Sequence, residues 1–251
     1  MLTAILLPEE LTAANRIWAA NQAAYELLDE ARRFAASALD SHVPADPRAV
    51  VVTGLFFRVL QASGSVGYLS LLGHDADAGA VQRSALEALF TLANCAGDES
   101  FAERYVKASE LDRLKLHRAM RQSPPNKHLS ADAVYRKLSN RVEQDELAKL
   151  PSVEQQARDA GADEAYLFLY RYLSNDVHVS PWSLNRYMRT NDDGELEALN
   201  LYPERTEAAR LAGAMAVILI AALEQWAKVL GKPIAGMAAM LRRVGVISEA
   251  P

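Results

Sequence analysis

Between Arg210 and Glu224 the chain runs for thirteen residues, "LAGAMAVILIAAL", without a charge. A strand buried on both faces is about four to eight residues long, so a run of this length predicts a helix. Pro203-Glu204-Arg205 opens it and Gly231 closes it near Leu230. A helix apolar around most of its circumference must be covered on several sides, by its own chain or by a second subunit. The run is too short to cross a bilayer, which needs about 20 apolar residues.

The covering elements are also predicted to be helices. Pro8, Glu9 and Glu10 start one that continues to about residue 40, with Ile17, Trp18, Tyr25, Leu27 and Leu28 on its apolar side. A second spans about 48–73, where Gly64 and Gly67 permit a kink or the close approach of a neighbour. A third covers 76–96 and a fourth 99–122, divided at Gly97-Asp98. "SPPNKHLS" (123–130) breaks the chain, because paired prolines cannot continue a helix. Beyond it a polar helix is expected over 131–148, a short amphipathic turn from Pro151 to Ala160, and a helix from Asp163 to His178 halted by Pro181. Asn191-Asp192-Asp193-Gly194 sits between two short runs that suit a hairpin within 184–202, and Pro233 starts a last helix to about Val244. The expected fold is all-α: one antiparallel bundle of seven or eight helices with one small hairpin. It forms a single domain over residues 1–251, the first helix lying at its edge.

Composition narrows the function classes. A net charge of -5 and a pI near 5.6 argue against a surface coated with basic residues for duplex DNA or anionic membrane. Cys95 is the one cysteine and lies in the apolar "LFTLANCAG", which predicts a buried, inert thiol. The N-terminal "MLTAILLPEELTAANR" lacks the positive region of a secretory signal, and a cytoplasmic protein is expected. His42, His74, His117 and His128 show no metal-ligand spacing, and phosphate loops and serine-hydrolase elbows are absent from the sequence. Neither a metal nor a cofactor is expected.

Two polar stripes stand out against this background. From Ala78 to Gly97 the only formal charges are Arg83 and Glu87, four residues apart and hence on one helix face. They form either a register-fixing ion pair or one wall of a polar cavity. The second stripe lies in "YRYLSNDVHVSPWS" (170–183), where Arg171, Ser174, Asn175 and His178 fall at i, i+3, i+4 and i+7. An imidazole can take and return a proton near neutral pH, and a guanidinium can grip a phosphate with two prongs. Together they suit attack of a ribose 2′-hydroxyl on its neighbouring phosphate. The structural alternative is that His178 caps the helix end, Arg171 pairs with a carboxylate, and Ser174-Asn175 marks the last turn. Trp182, beside the stripe, suits either base stacking or plugging the bundle end.

"QRSALEAL" (82–89) followed by "YRYLSNDVHVS" (170–180) resembles a widespread bacterial family of helical proteins with no assigned function, in which an Arg-x-x-x-Glu helix precedes a Leu-Ser-x-x-x-His segment. That resemblance spans most of residues 50–230 and points to Arg83, Glu87, Ser174 and His178. More distantly, Arg171 and His178 resemble the HEPN superfamily, whose ribonucleases carry Arg and His on a late bundle helix and usually dimerise to build one cleft. The gap here is six residues, and Tyr172 stands where active members have a small polar residue. The resemblance implies a metal-independent endoribonuclease, a toxin or defence effector, with His178, Arg171, Ser174 and Asn175 as catalytic residues. Arg83, Glu87, Tyr170 and Trp182 are expected to bind substrate. The implied partners are RNA, a second copy in a homodimer, and a protein partner or antidote; no membrane is expected. Two other readings stand beside it: a non-catalytic dimerising module, supported by the apolar 211–223 helix and the Arg83–Glu87 pair, and a bundle that binds a small ligand among Arg83, Glu87, Tyr170 and His178.

Overall fold

A computed structural model of the chain describes residues 7–39, 44–122, 150–177, 184–199 and 207–245. Among them are eight α-helices: α1 (Pro8–Ser37), α2 (Pro47–Leu71), α3 (Asp75–Gly97), α4 (Glu99–Gln122), α5 (Val153–Asp159), α6 (Arg171–Val177), α7 (Ala208–Val229) and α8 (Met237–Arg243). A π-helical segment, Ala165–Tyr170, leads directly into α6. Strands β1 (Met188–Thr190) and β2 (Leu196–Leu199) form the antiparallel hairpin, pairing Met188 with Leu199 and slipping register between Arg189 and Thr190. The all-helical bundle with one hairpin is the architecture the periodicity predicts. The polar helix expected over 131–148 and the Pro203-Glu204-Arg205 opening lie outside the described residues.

The helix ends follow local chemistry. Glu10 accepts the Leu7 backbone N–H (2.7 Å) at the start of α1. Asp46 accepts the N–H groups of Arg48 and Ala49 ahead of Pro47, giving α2 its N-cap. At its far end Gly73 adopts φ +81°, and the His74 N–H reaches the Leu69 carbonyl. That left-handed turn folds α3 back along α2. Arg48 closes the other end of α3, donating to the carbonyls of Cys95 (2.8 Å) and Ala96.

The apolar run lies on α7, a helix of 22 residues. By length and mean hydropathy both α7 and α2 would reach across a bilayer. Here they are core helices: α7 packs against α1, α2 and α3, burying Leu211, Met215, Leu219, Ile220, Leu223 and Trp226. The cover that the sequence left open, own chain or second subunit, is supplied by the chain itself. Nor is α1 confined to the edge, since Ile17, Tyr25, Leu28, Ala31 and Ala35 are buried and α1 lies on both α2 and α7. The α2 glycines serve close approach: a Cβ at Gly64 would meet the Arg32 guanidinium at 2.9 Å, and one at Gly67 the Leu28 methyl at 3.3 Å.

Cys95 is buried as expected, and burial pushes its thiol up to about 12. Burial does the same for the Tyr25 hydroxyl, which pairs with Ser70 at 3.2 Å and is also pushed up to about 12. The folded state thus keeps both protons after the unfolded chain, with ordinary values of roughly 8.5 and 10, has begun to release them. Stability from this source is fully present below about pH 8.5 and is lost as pH rises toward 12. Urea melts between pH 8 and 11.5 should show falling midpoints, and Tyr25→Phe should flatten the fall above about pH 10.

Candidate functional site

The polar residues of interest gather where α6 crosses α3 and the start of α7. Three of the four substrate-binding candidates meet directly. Arg83 donates to the Tyr170 hydroxyl (2.7 Å), which donates in turn to Glu87 (2.8 Å), while Arg83 and Glu87 pair at 3.3 Å. The guanidinium also lies over the Tyr170 ring, 4.8 Å from its centre. The wider π turn aligns Tyr166 with Tyr170, and their rings stack at 5.1 Å with an interplanar angle of 17°. Phe90 backs Tyr170 from α3, 6.3 Å between ring centres.

This triad is not a sealed charge pair. The Arg83 side chain is 23% exposed and that of Glu87 40%, so the pair sits at a rim and carries no full desolvation cost. Tyr170 itself is buried. Burial and donation to Glu87 raise its hydroxyl above the ordinary tyrosine value, against the opposing pull of Arg83. A protonated hydroxyl that accepts from Arg83 and donates to Glu87 ties α6 to α3 throughout the neutral range.

The other candidates divide by which side of α6 they occupy. The Ser174 hydroxyl donates back to the Tyr170 carbonyl (2.8 Å), one turn along the triad's face. Arg171 and Asn175 lie on the outer, exposed face, where the Asn175 amide donates to the Tyr172 carbonyl (3.1 Å). No hydrogen bond or ion pair holds the Arg171 guanidinium among the described residues. Arg171 is thus exposed, and Ser174, one turn on, is half-buried with its hydroxyl turned to the backbone. His178 and Trp182 lie outside the described residues, so the four-way convergence with His178 is described only for Arg83, Glu87 and Tyr170.

Several contacts were not foreseen from the sequence. Tyr172 donates to Glu207, Glu207 also pairs with Arg210, and the Arg210 guanidinium lies over the Tyr172 ring at 4.4 Å. Asp75 accepts the Glu207 N–H (2.7 Å) and so caps α7 from the first turn of α3. Asp176 projects onto Gly79, where α3 has no Cβ to keep it away. Gln82, fully buried, donates to the Leu211 carbonyl at 2.9 Å. At the other end of α3, Thr91 and Asn94 hold α5 through the Gln156 side chain (3.0 Å) and carbonyl (2.7 Å). Gly79 was the readable clue, a glycine inside a helix with no turn to make. Asp176, one turn after Tyr172, carries no such mark.

Chemically, the junction offers the fixed Tyr170 hydroxyl and, at Arg171, a guanidinium without a partner among the described residues. Among the described residues no three His, Cys, Asp or Glu side chains converge as a metal-binding set. Clefts of about 290, 680 and 490 Å³ lie elsewhere, beside α4, α8 and the start of α2 respectively.

No curated protein and no solved structure matches the chain. Residues 49–195 match a family of unknown function, DUF5677, a span that runs from α2 into the hairpin and takes in both polar stripes. That match covers more than half the chain, and the protein belongs to this family.

Proposed function

We propose that the protein cleaves RNA without a metal, at the outer face of α6. Its carrying observation is Arg171: exposed and without a partner among the described residues, while Arg83 is engaged by Glu87, Arg158 by Glu154 and Arg210 by Glu207. A guanidinium left open in this way is suited to a phosphate. In this reading His178, seven residues later in the sequence, removes the proton of the ribose 2′-hydroxyl and returns one to the leaving oxygen. Arg171 balances charge on the phosphorus oxygens, and Ser174 and Asn175 orient the sugar. The Tyr170–Arg83–Glu87 triad sets where α6 lies and presents a polar rim to the substrate. Trp182 stacks a flanking base. The protein acts in the cytoplasm as a homodimeric toxin or defence effector, held in check by a protein antidote.

The test is incubation of purified protein with total RNA in excess chelator. Wild type is expected to yield fragments ending in a cyclic phosphate, and His178→Ala to lower the rate at least about a hundredfold. Intact RNA with wild type, or equal cleavage by the variant, overturns the reading. A non-catalytic dimerising module would instead show a concentration-dependent mass by light scattering and no chemistry. Its support has moved from the α7 run, now accounted for in the core, to exposed apolar residues of the hairpin such as Leu196 and Leu199.

A further inference from the structure

We infer that Phe168 is a stacking platform for a base of single-stranded RNA, placed to feed the adjoining phosphate to Arg171. This rests on the RNA reading of the α6 surface and names a substrate-binding residue that reading does not use.

Helical positions facing α3 along this stretch are Tyr166, Tyr170 and Leu173, which are wholly or partly buried. The opposite stripe runs Leu167, Phe168, Arg171 and Asn175, all exposed. Phe168 is 76% exposed, more than any other large apolar side chain among the described residues, and Leu167 beside it is 50% exposed. An aromatic ring held that far into water contributes little to folding, and among the described residues no other ring packs on Phe168, unlike Tyr166 and Tyr170. Most of the ring is thus open to solvent, which suits it to stacking on a flat ligand.

Charge chooses between occupants. Arg171, without a partner among the described residues, is exposed like Phe168 and begins α6 where the π turn that carries Phe168 ends. A second copy laid across this face would bring Arg171 against its own symmetry mate or bury it unpaired. A nucleotide offers what the pair lacks, a π face for Phe168 and an anion for Arg171. Glu164, exposed one turn before Phe168, repels phosphate at that end. The strand would thus run from Phe168 toward Arg171 and Asn175. Single strands fit this scheme because only unstacked bases present a face to the ring.

The experiment measures fluorescence anisotropy of a labelled single-stranded oligoadenylate with His178→Ala protein, so that the probe survives. Adding Phe168→Ala should weaken binding about tenfold, Phe168→Trp should restore it, and Arg171→Gln should flatten the dependence of affinity on salt. Because the ring is exposed, these variants should keep the parent melting temperature. Unchanged affinity in Phe168→Ala overturns the inference, as does a loss confined to dimerisation in sedimentation, which would mark the patch as an interface between copies. The two proposals fail separately. Cleavage by wild type with an indifferent Phe168→Ala removes the platform alone, whereas Phe168-dependent binding without any cleavage removes the nuclease alone.

Discussion

Gly79→Ala should destabilise the protein by about 2 kcal/mol, although alanine is ordinarily the better helix former by about 1 kcal/mol. The new methyl would lie 3.0 Å from the Asp176 carboxyl carbon and closer still to its Oδ2, inside any permitted contact. Asp176 is hemmed in where α6 meets α3, so either its side chain leaves its partners or α6 shifts outward. Urea melts would read the loss as a lower midpoint with an unchanged slope. The double variant with Asp176→Ala removes the colliding carboxylate and should recover most of the helix-propensity gain. Coupling of at least about 1 kcal/mol in that cycle would establish the contact, and strict additivity would contradict it. In the nuclease reading the single variant should also impair cleavage by displacing Arg171, and the double variant should recover it in part.

Phe56→Ala should cost more, about 3–5 kcal/mol. Phe56 is fully buried and stacks on Trp226 at 5.2 Å, joining the first half of α2 to the last turn of α7. Its removal leaves a cavity that the surrounding helices cannot close, because α7 is held by α1, α2 and α3 together. In a chain of this length the melting temperature should fall by about 10 °C. Phe56→Leu, which keeps most of the volume, should cost less than half as much. A fall of only a degree or two in Phe56→Ala would mean that the α2–α7 seam is not a close-packed one.

The helices were readable in the chain because their signals are local. Pro8, Pro47 and Gly73 mark ends, and spacings such as Val52–Leu55–Phe56–Val59 mark a buried face, without reference to distant residues. The Asn191–Gly194 turn announced the hairpin in the same way. The grouping of Arg83 and Glu87 was equally local, being a matter of four residues on one helix, and Tyr170 could be placed beside them as lining. The hydroxyl's position between the two charges could not, because it depends on how α6 lies across α3. The Tyr172–Glu207–Arg210 set and the seat of Asp176 on Gly79 share that dependence, joining residues far apart in sequence. The π turn before α6 was invisible for another reason: its i→i+5 bonding leaves an apolar spacing that an α-helix would also satisfy. The imidazole of His178, central to the chemistry proposed, belongs to a segment outside the described residues, and the motif itself remains its support.

The shared family segment, 49–195, stops short of α7 and begins after α1. Yet α7 packs on both α2 and α3, and α1 packs on α2, so part of the cover over their buried faces comes from those two flanking helices. Cut to its common region, this polypeptide would present a greasy slab to water and would be expected to clump instead of folding. In this chain the family segment therefore leans on two helices that lie outside its borders.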